Sequence, residues 1–161
     1  MKIYHGSLEM VEHPMILKPN RKLDYGQGFY TTTSEKQAKE WVERRMLENN
    51  SNCGYINVYE FDDKKLSELN SLIFPEPNEE WADFVMANRT KFDFTHNYDI
   101  VYGPVANDRV YLQFGLYEAG AISVETLIRE LKTYKLVDQY LFHTDKALTA
   151  LRFIESIKIE L

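Results

Sequence analysis

The sequence predicts a single α+β domain whose short strands form mixed or mostly antiparallel sheets. Strand-like and helix-like patterns follow one another in mixed order. The strict alternation that marks a doubly wound parallel sheet is missing. The strand patterns are short and bounded by Gly, Pro and Asn. The 161 residues suffice for one sizeable core, and no repeat, low-complexity tract or linker divides them.

In order, Lys2-Ile3-Tyr4-His5-Gly6 reads as a first strand that ends at a glycine, which puts His5 at the strand's end. Residues 7–22 contain Pro14 and Pro19 and read as a loop with a short helical turn. Val11, Met15, Ile16 and Leu17 can fold that loop onto the core. The stretch 24–41 then combines a turn, a strand and a helix. Gly26 and Gly28 bracket Gln27, so the backbone can turn sharply or approach a ligand closely. Phe29-Tyr30-Thr31-Thr32-Thr33 is aromatic and β-branched, which favours a strand. Ser34 stands where an N-cap belongs, with Gln37 at capping-box spacing, and helix formers run on through Met46.

Residues 49–54 are a loop by composition, and 55–61 alternate as a half-buried strand does. Residues 62–77 are irregular, with a helical piece near Leu66 and an apolar Leu72-Ile73-Phe74. Asn78 caps a helix over 79–89. Its Trp81, Phe84 and Val85 share a core-facing side, and Met86 joins them. Glu79 and Glu80 fall in the first turn, where the helix dipole favours them. Asp99-Ile100-Val101-Tyr102 is a strand stopped by Gly103-Pro104, and 110–117 is amphipathic without deciding between helix and strand. Ser123 with Thr126 opens a helix reaching about Tyr134. Gln139 to His143 is a short strand, Thr144 or Asp145 caps a helix over 146–151, and 152–161 is a final strand.

Composition narrows the function. At 44% hydrophobic and 27% charged, the chain reads as a soluble globular protein. A net charge of −6 leaves no basic excess to displace counterions, so strong nonspecific nucleic-acid binding is not expected. Cys53 is the only cysteine, which excludes an internal disulfide and a cysteine zinc site. It has no basic neighbour to activate it as a nucleophile. His5, His13, His96 and His143 show no ligand spacing, so no metal is expected. No apolar run approaches the roughly 18 residues of a membrane span, and MKIYHGS is not a signal-peptide pattern. The expectation is a cytoplasmic protein without a membrane partner. With 11 tyrosines, the aromatic content suits either a stacking cleft or an aromatic core.

Three pieces line up: Tyr4-His5-Gly6-Ser7, Gly28-Phe29-Tyr30 and Gln139-Tyr140-Leu141-Phe142. Together they resemble the motifs of the ADP-ribosyltransferase superfamily, on its diphtheria-toxin and poly-ADP-ribose polymerase side. Over nearly its full length the chain also resembles a bacterial family catalogued as domain of unknown function number 3990. That likeness runs through YHGS, DYGQGFYTT with QAKEW, YDIVYGPVAND and DQYLFHT. The resemblance implies a split sheet clamping NAD+ as co-substrate. It implies that His5 bonds the 2′-hydroxyl of the adenosine ribose, that the Gly6 backbone binds the nicotinamide carboxamide beside Ser7 and Gly28, and that Tyr30 stacks on the nicotinamide. It implies that a second aromatic face comes from Trp41 or another residue on that helix.

Gln139 falls where the superfamily carries Glu. A carboxylate there would stabilise charge building on the ribose, whereas a neutral amide cannot act as a base. Three outcomes follow: slow or mono-ADP-ribosyl transfer, another acid such as Asp108 or Glu118 entering the site, or NAD+ binding without catalysis. An RNA 2′-phosphotransferase is a further alternative, with Arg21, Arg44 and Arg45 as phosphate ligands. The bland readings are a buried His5 satisfied by a carbonyl, Tyr30 and Trp41 as core, Gln139 without a role, and Asn107-Asp108 as a turn. The expected partners are NAD+ and an acceptor that is protein, nucleic acid or small molecule.

Overall fold

The computed structural model describes residues 1–17, 25–91, 93–105, 108–133 and 136–161. The expectations at Pro19, Arg21, Lys22, Asp24, Asn107 and Tyr134 lie outside the described residues, and Asp108 enters only through its backbone. In chain order the first elements are β1 (Lys2–Ser7), β2 (Phe29–Thr31), α1 (Glu35–Glu48), β3 (Cys53–Phe61), β4 (Ser71–Ile73) and α2 (Glu79–Thr90). There follow β5 (Ile100–Pro104), α3 (Asp108–Glu118), α4 (Val124–Lys132), β6 (Asp138–Phe142), α5 (Asp145–Leu148) and β7 (Leu151–Glu160).

The class is α+β, built on two sheets. One has the order β1-β3-β7 and is antiparallel throughout. The other has the order β2-β6-β5-β4, in which β4 and β5 are parallel and the other neighbours antiparallel. Three apolar clusters set the layers. Ala38, Val42 and Met46 of α1 pack on Ile56 and Val58 of β3. Between the sheets lie Ile3, Phe29, Tyr59, Phe61, Ile100, Tyr140 and Phe142. Beyond the second sheet, Trp81, Val85, Val110, Phe114, Leu127 and Leu131 bring α2, α3 and α4 onto Val101 and Leu141.

The local cap signals hold. Ser34, Asn78 and Ser123 each accept a backbone N–H three residues on, at 3.2, 2.8 and 3.2 Å. Thr144 is the cap of α5, which is shorter than expected and begins at Asp145. The undecided segment 110–117 belongs to α3, because Val110 and Phe114, one helical turn apart, both enter the core. Strand β4 lies in a stretch read as irregular, since three residues gain strand character only by pairing with the distant β5. Cys53 opens β3 instead of sitting in a loop. The described part of 7–22 contains no helical turn.

Candidate functional site

The sheets meet at an antiparallel bridge between Tyr4 and Thr32, which exchange N–H···O bonds of 2.8 and 2.9 Å. Continued pairing would set Gly6 opposite Tyr30. Backbone groups on one strand edge recur every second residue. Gly6 therefore turns its N–H and C=O to the same side as Tyr4, toward β2, and Tyr30 turns its own toward β1. The strands splay here instead of pairing, and a cleft of about 1290 Å³ opens. His5, Gly6, Ser7, Gly28, Tyr30, Trp41 and Gln139 all line it. The structure thus brings these seven residues together at one cleft.

His5 bridges the splayed strands. Its Nδ1 lies 2.7 Å from the Tyr30 carbonyl, and its ring lies against Phe29 with centroids 4.3 Å apart. A carbonyl only accepts, so Nδ1 carries the proton and Nε2 keeps its lone pair. Burial pushes the His5 pKa below the usual imidazole value, against a smaller upward pull from the Tyr30 carbonyl. His5 is therefore a neutral ring with an acceptor nitrogen. The reading of a histidine satisfied by a backbone carbonyl is correct for Nδ1, and the same bond fixes the tautomer.

Tyr30 is half-buried and its hydroxyl donates to the Gly26 carbonyl at 2.5 Å. Gly26 has φ +86°, a conformation that favours glycine. Ser7 Oγ accepts the Glu9 N–H at 3.2 Å, which turns the chain out of β1 along the cleft's rim. Gly6 admits α1 closely. A Cβ there would lie 2.6 Å from the Ala38 carbonyl and 3.2 Å from Trp41 Cδ1. Trp41 is half-buried at the cleft wall, with Arg44 over its ring at 5.9 Å.

Gln139 shares a face of β6 with Leu141, the residue opposite Tyr30. It is only 6% exposed, yet its Nε2 has no hydrogen-bond partner. Buried amide N–H groups are nearly always paired, so Nε2 is a donor that the protein's own groups leave unsatisfied. Asp138, next in the chain, is occupied. Its carboxylate accepts from Thr32 Oγ1, Thr33 N, Thr33 Oγ1 and Tyr102 Oη at 3.2, 2.9, 2.6 and 3.3 Å. It ties the start of α1 to β6. Glu118 is exposed in the last turn of α3 and does not line the cleft, so it is not the replacement acid. Arg44 lines the cleft, whereas Arg45 pairs with Glu48 at 3.8 Å.

The sequence reading passed over several cleft residues. Gln37 and Glu40 share with Trp41 and Arg44 one stripe of α1 opposite its buried Ala38–Val42–Met46 side, and that spacing was a usable signal for both. Arg89 and Tyr111, stacked at 3.9 Å on the far wall, come from two different helices and left no local signal. Among the described residues no group of His, Cys, Asp or Glu could hold a metal ion, and no helix is long and apolar enough to cross a membrane.

A family model described as a protein of unknown function (DUF3990) matches residues 1–153. The chain belongs to the DUF3990 family. No curated protein and no solved structure matched it. In this DUF3990 chain the matched span covers β1, β2, α1 and β6, so every residue of the cleft falls inside it.

Proposed function

We propose that the cleft binds NAD+ and that the protein is an NAD+-dependent mono-ADP-ribosyltransferase acting on a protein, nucleic-acid or small-molecule acceptor. The observation that carries this reading is the interrupted ladder between β1 and β2, where Gly6 offers a backbone N–H and C=O to the opening beside Tyr30. A primary carboxamide presents a matching acceptor oxygen and N–H donor, which is the polar end of nicotinamide. Tyr30 offers the ring for stacking. His5 Nε2 is an acceptor for a ribose hydroxyl, and Gln139 Nε2 is a donor awaiting a ligand oxygen. The cleft exceeds the roughly 300–1,000 Å³ of an ordinary small-molecule pocket, which leaves room for a dinucleotide.

In the transfer, nicotinamide leaves the ribose C1′ with the bonding electron pair, which neutralises its pyridinium charge. The acceptor nucleophile forms the new bond to C1′ and gives up its proton to solvent. Positive charge builds on the ribose ring in between, as in other glycosyl transfers. Gln139 orients the sugar but cannot take a proton, and Asp138 is engaged elsewhere. That combination favours slow, single transfers. It also motivates a second reading, a binding module for NAD+ or ADP-ribose without turnover.

The test is incubation with NAD+ labelled in its adenylate phosphate and bacterial lysate, following both nicotinamide release and macromolecular label. Label lost in His5→Ala supports the transferase. Release without transfer means a glycohydrolase. Binding without turnover, with activity appearing in Gln139→Glu, supports the module. Absence of NAD+ binding in a calorimetric titration of the wild type sinks both readings.

A further inference from the structure

The turn that delivers Tyr30 to the cleft has three consecutive carbonyls, and a side chain holds each one. His96 Nε2 donates to Tyr25 O at 3.3 Å, Tyr30 Oη to Gly26 O at 2.5 Å, and His143 Nδ1 to Gln27 O at 2.6 Å. Carbonyls only accept, so both contacting ring nitrogens are protonated. His96 Nδ1 in turn accepts the Tyr98 N–H at 3.3 Å, so His96 is a neutral ring. His143 Nε2 is buried with no partner, a position that suits a bare lone pair and not a second N–H. Burial pushes the His143 pKa down to about 4, with a small upward pull from the Gln27 carbonyl. The two rings meet edge to face with centroids 4.5 Å apart.

The clamp acts on a segment that needs one. Two glycines in three residues give the turn wide backbone freedom. Gly28 leaves His143 room to close in, since a Cβ there would stand 2.8 Å from the Phe142 carbonyl and 3.0 Å from His143 Nδ1. Neither His96 nor His143 lines the cleft. Any effect they have on a ligand must pass through the turn, which contains the Gly26 carbonyl that accepts from the Tyr30 hydroxyl.

We propose that His143, supported by His96, is a positioning residue for the cleft: its Nδ1–H fixes the Gln27 peptide and thereby the aim of the Tyr30 ring. This rests on the reading of the cleft as an NAD+ site with Tyr30 as its stacking ring. His143→Asn keeps an amide N–H at the place of Nδ1, whereas His143→Gln and His143→Ala do not.

The experiment measures amide hydrogen exchange over 25–30 and NAD+ affinity by calorimetry, on the full chain at neutral pH. In His143→Ala and His143→Gln, exchange in the turn rises about fivefold to tenfold, the worth of one hydrogen bond, and NAD+ affinity falls by a similar factor. His143→Asn restores both. A role in general packing alone predicts no such rescue, and an Asn variant as impaired as Ala overturns the proposal. Unchanged exchange in His143→Ala, or NAD+ affinity unchanged despite faster exchange, overturns it too. The expected exchange pattern in a wild type that binds no NAD+ upholds the clamp and discards the NAD+ reading. If His143→Ala does not fold, the Gln and Asn pair carries the test.

Discussion

Replacing Gln139 with Met separates stability from binding, because the two should move in opposite directions. Gln139 is 6% exposed and its Nε2 is unpaired. A buried donor left without a partner costs about 1–3 kcal/mol. Methionine keeps the length and nearly the volume of the side chain and removes the donor, and volume-conserving swaps cost less than about 1.5 kcal/mol. The ligand-free variant should therefore gain about 1 kcal/mol. In a domain of this size that raises Tm by about 2–4 °C. NAD+ affinity should fall about fivefold to tenfold, the loss of one hydrogen bond to a ribose oxygen. Differential scanning calorimetry and an NAD+ titration on the same preparation read both quantities. A lower Tm in Gln139→Met would mean that Nε2 is satisfied in the free protein. The cleft would then hold no donor in reserve, and the reasoning that links this residue to a ligand would be wrong.

Other outcomes follow from single contacts. Gly6→Ala forces a Cβ to within 2.6 Å of the Ala38 carbonyl and 2.8 Å of Val42 Cγ2, so α1 must move away from β1. Chemical denaturation should show a loss of about 1–3 kcal/mol, and NAD+ binding should weaken as Trp41 shifts. Tyr25→Phe removes a buried hydroxyl that donates to Pro104 O at 2.8 Å and accepts from Trp81 Nε1 at 2.7 Å. A loss of about 1–3 kcal/mol in the same assay is expected, with the fold's far-UV signature unchanged. Acid should destabilise the wild type through His143, whose folded-state pKa of about 4 lies below the ordinary 6.5. Between these values the unfolded chain binds the proton and the folded one does not. Stability is thus intact above pH 6.5, falls as the pH drops toward 4, and levels off below it. At about 1.4 kcal/mol per unit over about 2.5 units this amounts to at most about 3.5 kcal/mol, and that share of the pH dependence should vanish in His143→Asn while the shares of buried His5 and His96 stay.

Much of the site was legible because its signals are local. His5 before Gly6, Tyr30 after Gly28, and Gln139 on a short strand were identifiable from motif and strand pattern, and the structure gathers them in one cleft. Ser34, Asn78 and Ser123 announced their helices because a cap bonds only three residues ahead. The three-residue strand β4 was hidden because its partner lies 29 residues on in sequence, at Ile100 for Ser71. The clamp of His96 and His143 on the turn was equally hidden, since His143 and Gln27 stand 116 residues apart.

The sequence by itself determined the α+β class, most element positions and the side chains offered to the cleft, since propensity, capping and periodicity act over a few residues. Tertiary structure alone decided that β1 and β2 part after the Tyr4–Thr32 bridge and that the His5 ring is held as one tautomer. It also left Gln139 with an unpaired donor and tied Asp138 into a structural clasp. Each of these depends on which backbone group a distant segment brings within about 3 Å, and hydrogen bonds lose their strength beyond that reach.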